Sequence, residues 1–252
     1  MTGLLRKGPA YSAGRSIPLP AWYQEITTNG PAPVMAQIGG WLGAPGAFRN
    51  PWTVPSTAME VTHPVTAPAN TAMGNLPGMV AGTGGTIDTL VTTSDEYTLF
   101  CVVEISAGQI AGVNGTEQIF SRDGPAWGEA WLGINNNENL TFQIATGNLV
   151  QHQNVNLSAG AHVIMAQNRR VSSGNYEVTV WYDDAATYVV QEAEATTTSI
   201  GETWHVLSRY DAARQWSTGV AAALIFDGSA VTDYPTEMAA MFNAAKTWAG
   251  VS

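Results

Sequence analysis

The chain reads as an all-β protein, a two-sheet sandwich or jelly roll with a proline-rich N-terminal arm and one C-terminal helix. Three observations carry this. After Gly74 the sequence breaks into nine or ten short β-prone runs, split by turn residues at spacings near ten residues. Eleven of the 13 prolines lie between Pro9 and Pro77, and each proline removes a ladder donor, so the first third cannot supply central strands. The final stretch switches to a helical period.

Residues 1–75 are expected to form an extended arm with short strands or turns. Its aromatic residues, Tyr11, Trp22, Tyr23, Trp41, Phe48 and Trp52, would hold it against the body or a neighbouring subunit. Residues 76–252 form the sandwich. Tyr97–Ile105 (YTLFCVVEI) is the clearest strand and is apolar on both faces. Gln118–Ser121, Ala130–Ile134 and Leu140–Ala145 follow, separated by Asp123-Gly124-Pro125 and by the run Asn135–Asn139. His162–Gln167 is a further strand, and Tyr176–Tyr182 pairs with Thr187–Gln191 across Asp183–Ala186. Thr203–Ser208 precedes Val220–Phe226, a strand so apolar that both of its faces should be covered. In the terminal helix, Met238, Met241, Phe242, Ala245, Trp248 and Ala249 make one stripe; Asp233 and Pro235 mark its start, and Gly250 its stop.

Composition narrows the function classes. A net charge of −10 without any basic run excludes nucleic acid as a direct partner. Residues 1–80 carry a net +2 (Arg6, Lys7, Arg15 and Arg49 against Glu25 and Glu60), leaving −12 for the rest. Charged residues are only 12% of the chain, about half the usual share. That suits a protein packed into an assembly, a feature shared with many secreted β-proteins. The single cysteine, Cys101, excludes an internal disulfide and sits in a strand pattern as a small buried hydrophobe. Met1–Ala10 has no apolar stretch, so no secretory leader is expected, and no apolar run approaches spanning length.

Motif order adds a family likeness. Gly74-Asn75-Leu76-Pro77-Gly78-Met79-Val80 precedes Tyr97–Glu104 (YTLFCVVE); then come Ile119-Phe120-Ser121-Arg122, the strand Ala222–Asp227 and the helix Tyr234–Ala249. This order, from roughly Trp22 to Ala249, resembles the laminin-G-like, concanavalin A-like jelly-roll superfamily, of the kind found in bacteriophage virion proteins. The resemblance implies two antiparallel sheets packed face to face, a frame used for carbohydrate binding or protein docking. Fold alone does not settle which.

Candidate sites follow from chemistry. Glycoside hydrolysis needs paired carboxylates on one strand face; Glu192 and Glu194 are two apart, but a third acid is missing, and no enzyme is expected. The histidines His63, His152, His162 and His205 lack metal-ligand spacing. Calcium is the one candidate cofactor, with Asp123, Asp183 and Asp184 as candidate ligands and Asp95, Glu96 and Asn135–Asn139 as further loop contributors. Sugar faces stack on exposed aromatic rings, which singles out Trp127 and Trp131 in one cluster. Trp204, Tyr210 and Trp216 make a second, with Arg209, Asp211 and Arg214 between them.

The first functional expectation is a structural protein of a bacteriophage particle, a head-decoration or tail-fibre-type subunit located in the virion. Its arm would dock on other virion proteins or sister subunits through Trp22, Tyr23, Trp41 and Trp52, in a homo-oligomer without membrane insertion. The alternative is a carbohydrate-binding module or adhesin that recognises polysaccharide through its loop aromatics.

Overall fold

The computed structural model describes residues 20–38, 48–49, 58–62, 69–73, 76–81, 86–111, 115–122, 130–137, 139–145, 148–151, 157–186, 188–194, 202–209, 211 and 213–251. Trp41, Trp52, Asp123, Trp127 and Tyr210, like His63 and His152, lie outside the described residues.

Two antiparallel sheets form the body. The first contains β1 (Met35–Ile38), β4 (Ala69–Met73), β5 (Leu76–Val80), β7 (Tyr97–Ile105), β12 (Gly160–Ser172), β13 (Asn175–Tyr182), β14 (Tyr188–Glu194) and β16 (Val220–Asp227). Its order is β14-β13-β12-β7-β16-β5-β4, with β1 also pairing β16. The second contains β2 (Phe48–Arg49), β3 (Ala58–Thr62), β6 (Thr86–Asp88), β8 (Glu117–Arg122), β9 (Ala130–Ile134), β10 (Leu140–Ala145), β11 (Asn148–Gln151) and β15 (His205–Val206). Its order is β11-β10-β9-β8-β15-β6-β3-β2. Four helices complete the described fold: α1 (Ala21–Asn29), α2 (Ala107–Ile110), α3 (Ala230–Asp233) and α4 (Pro235–Ala249).

The apolar runs build three layers because strand side chains alternate. On β7, Tyr97, Leu99, Cys101, Val103 and Ile105 point between the sheets and meet Phe120, Leu132 and Phe142 of the second sheet. Phe100 and Val102 point the other way, beneath α1 and α4. On β16, Ala223 and Ile225 join the inter-sheet core, while Ala222, Leu224 and Phe226 lie under the helices. Every residue from Val220 to Phe226 is fully buried, as a strand covered on both faces must be. The register with β7 shifts between Val220 and Ala222, a bulge that accommodates Ala221.

The helical stripe is observed. Met238, Met241, Phe242 and Ala245 are buried, and Trp248 and Ala249 are partly so. Pro235 occupies the first turn, and Gly250 closes α4 at φ 70°, in the left-handed region that favours glycine. The expected start needs correcting: Asp233 ends the short helix α3, and Tyr234 caps α4 without a side-chain hydrogen bond.

A boundary at residue 75 does not separate the layers. β1 pairs β16 from Met35↔Ile225 to Ile38↔Ala222, β3 pairs β6, and β4 pairs β5. Proline still leaves its mark, since β4 and β2 are the outermost strands on their side of each sheet. Trp22 and Tyr23 are 2% exposed on α1, packed on the body of their own chain. As docking anchors for a partner they are therefore corrected to core residues. Trp22 lies 5.6 Å from Phe100 and 5.7 Å from Trp248, ring centre to ring centre.

Candidate functional site

The aromatic residues expected to stack on sugar are mostly structural. Trp204 and Trp216 are fully buried in the inter-sheet core, and Trp131 is 4% exposed with its indole N–H donated to Gln143 Oε1 at 2.9 Å. None of the three offers a ring face to solvent, so the expectation of a stacking platform is corrected for them. Trp204 instead holds a cation. The Arg122 guanidinium, 1% exposed, lies 4.9 Å over Trp204 and 4.7 Å over Tyr97, and donates to Thr93 Oγ1 at 2.6 Å and the Ser94 carbonyl at 3.0 Å. Burial pulls the Arg122 pKa down, opposed by Tyr97 and Asp227.

Among the described residues, the expected calcium ligands Asp183 and Asp184 are occupied by protein donors. Asp183 Oδ2 lies 2.6 Å from His162 Nδ1, and Asp183 Oδ1 accepts the Val163 N–H at 2.7 Å. The His162 Nε2 faces the Ser158 carbonyl at 2.8 Å. Burial and the neighbouring Asp183 push the Tyr182 phenol up, and its ring stacks on His162. Asp184 accepts the Ala186 N–H in a local turn. Asp95 is held by Arg170 and the Tyr176 hydroxyl, and Glu96 by the Arg170 N–H and Ser229 Oγ. Among the described residues, no group of three His, Cys, Asp or Glu is placed to hold a metal.

A cleft of about 630 Å³ opens where β8 begins and β9 ends. Its walls are Gly115, Thr116 and Glu117, the β9–β10 turn residue Asn136, and Arg214, Gln215 and Ser217. The size falls within the range of small-ligand sites, and its lining is a set of hydroxyl, amide, guanidinium and carboxylate groups.

The sequence fixes these groups through buried neighbours. The segment 207–217 is closed by Trp216 N–H to the Leu207 carbonyl at 2.8 Å and Arg209 N–H to the Ala213 carbonyl at 3.0 Å. It is pinned by the buried Trp216 and joined to β8 by the Gln118 N–H to the Arg214 carbonyl at 2.8 Å. Leu207 and Arg214 both have positive φ, 72° and 56°. Non-glycine residues persist there only when their surroundings over-determine the backbone. Glu117, 3% exposed, accepts from Gln109 Nε2 at 2.7 Å and from Ser217 N and Oγ at 2.8 and 2.9 Å. Gln109 is itself fixed by the capping box with Ser106. On the other side, Gly133 passes so close to β8 that a Cβ would lie 2.0 Å from the Glu117 carbonyl oxygen. Asn135 Oδ1 accepts from Asn137 and Asn139, setting the turn that presents Asn136.

The segment holding Trp216 and the run Asn135–Asn139 do meet, but the aromatic is an anchor and its polar neighbours line the cleft. Glu117 gave no sequence signal, because a lone acid at a strand start is usually a solvated one.

No protein-family profile and no curated protein matches this sequence. Solved structures do match. Over 98% of this chain and 36% of the other, it is similar to Trypanosoma rangeli sialidase in complex with a difluorinated keto-deoxy sugar, at 12% identity and TM-score 0.54. It is also similar to the receptor binding domain of botulinum neurotoxin type G, at 11% identity and TM-score 0.54 over 85% of this chain and 51% of that one. A third similarity is to domain 4 of a Geobacillus stearothermophilus GH43 extracellular arabinanase, solved with arabinotriose, at 10% identity and TM-score 0.48, covering 73% and 88%. The chain thus spans about a third of the sialidase and half of the neurotoxin domain. At these identities the likeness is one of fold: an all-β sandwich of two antiparallel sheets with a C-terminal helix.

Proposed function

We propose that this protein is a carbohydrate-binding domain that takes saccharide in the cleft between Gly115–Glu117, Asn136 and Arg214–Ser217. The observation that carries the reading is the lining itself: hydroxyls, amides, one carboxylate and one guanidinium on a braced backbone. Such groups exchange hydrogen bonds with a polyol, and a preorganised site avoids the ordering cost of association. The fold supports the reading as a frame that also carries a receptor binding domain. Binding, rather than turnover, fits the absence of paired carboxylates among the described lining residues.

The test is a glycan array with the wild-type protein beside Asn136→Ala and Gln215→Ala. Binding that weakens about ten-fold in each variant supports the cleft, since each removes a hydrogen-bonding amide. Wild-type binding unaffected by either substitution places the saccharide elsewhere and refutes the reading.

Location on a virus particle is a separate proposal that rests on the 12% charged composition and the arm-like N-terminal segment. Two of its four proposed anchors, Trp22 and Tyr23, are used inside the chain. A mass-spectrometric inventory of purified particles that lacks the protein would end it.

A further inference from the structure

Glu117 is a buried carboxylate that no cation pairs with among the described residues. Its donors are Gln109 Nε2 and the Ser217 N–H on Oε2, and Ser217 Oγ on Oε1. An ionised carboxylate offers about four acceptor positions, two on each oxygen. Three are filled, and the one left over is on Oε1. A buried charge with unfilled acceptor capacity is costly, and Glu117 forms part of the cleft lining. The missing partner is thus a donor that the cleft's ligand would bring.

We infer that Glu117 is the specificity-determining residue of the cleft, its Oε1 accepting a hydrogen bond from a hydroxyl of a neutral saccharide. This rests on the carbohydrate-binding reading above. A sugar hydroxyl is the donor that fits, because it can also accept from Asn136, Gln215 or Arg214 in the same cleft. A ligand carboxylate brings only acceptors to this point. The described lining holds one carboxylate and one guanidinium and so has no net charge, while the whole chain carries −10, which disfavours anionic ligands further.

The experiment uses the full chain and a panel of neutral gluco-, galacto- and manno-configured oligosaccharides, with uronic-acid oligosaccharides beside them. The tightest binder is then replaced by its monodeoxy analogues, against wild type and Glu117→Gln. Gln keeps the shape and can still accept from Ser217 N–H, but it loses the charge that strengthens the ligand hydrogen bond. Neutral sugars are expected to bind best. One monodeoxy analogue loses about ten-fold or more on wild type, Glu117→Gln loses a similar factor for the parent sugar, and the two losses do not add.

A folded Glu117→Gln that binds the parent within two-fold of wild type overturns the inference, as do strictly additive losses. If that variant does not fold, the wild type decides alone: equal binding of uronic-acid oligosaccharides, or no dominant hydroxyl, overturns it. Failure of the carbohydrate reading looks different, with no panel member bound or with binding indifferent to Asn136→Ala.

Discussion

Replacing Trp22 with alanine separates a core residue from a docking anchor. Trp22 is 2% exposed and touches Tyr23, Phe100 and Trp248 at ring separations of 6.0, 5.6 and 5.7 Å. Large-to-small changes at such aromatic sites cost about 3–5 kcal/mol, the upper end where the cavity cannot collapse. One contribution has the opposite sign. The Trp22 indole N–H is buried without a hydrogen-bond partner, and its removal relieves about 1 kcal/mol or more of desolvation cost. The net expectation is about 2–4 kcal/mol. For a chain of 252 residues, this lowers Tm by about 4–16 °C. Trp22→Phe keeps most of the packing and drops the unpartnered N–H, so its loss stays under about 1.5 kcal/mol. Thermal unfolding followed by circular dichroism reads both variants. A Tm for Trp22→Ala within about 1–2 °C of wild type is the value for a solvent-exposed anchor and would refute the packing of α1 onto α4 and the first sheet.

Other outcomes follow from buried groups. The Tyr97 hydroxyl is fully buried without a partner, so Tyr97→Phe should leave stability at neutral pH unchanged or raise it by about 1 kcal/mol, read by urea unfolding. Burial also pushes the Tyr97 phenol up to about 12 from its ordinary 10.0, against the opposing charge of Arg122. The folded state therefore holds its proton more tightly than the unfolded one. Stability is full below about pH 10 and falls by about 1.4 kcal/mol per pH unit from this group up to pH 12; the slope should be shallower in Tyr97→Phe, and an equal slope contradicts it. Gly133→Ala would place a Cβ 2.0 Å from the Glu117 carbonyl oxygen and 2.9 Å from Gln118 Cα, both backbone atoms. It should destabilise by about 2 kcal/mol or more and weaken saccharide binding, while wild-type behaviour would contradict the β8–β9 packing.

How much was legible depended on whether the signal was local. β7, β9 and β10 match the expected Tyr97–Ile105, Ala130–Ile134 and Leu140–Ala145 to the residue, because alternation and turn residues are written in sequence. The double-sided apolarity of Tyr97–Ile105 and Val220–Phe226 correctly foretold coverage of both faces. Helix α1 was missed because Pro20 stands where a capping residue would, and Trp22, Tyr23 and Ile26 form too short a stripe to read as a period. The cleft was hidden for a different reason. Its walls come from three separated segments, brought together by the Glu117↔Ile134 register and by the tie from Gln118 to Arg214. Aromatic content does not mark exposed rings here: a wide sandwich fills its centre with large side chains, and Trp204 and Trp216 are among the largest fully buried ones.

The most direct measurement is a ¹H–¹⁵N NMR titration of the full chain with the saccharide that binds best on the array. Shift changes concentrated at Gly115–Gln118, Asn135–Asn137 and Arg214–Thr218 are the expected result. No shifts at saturating saccharide, or shifts confined to other faces of the sandwich, would contradict the assignment of the cleft as the binding site.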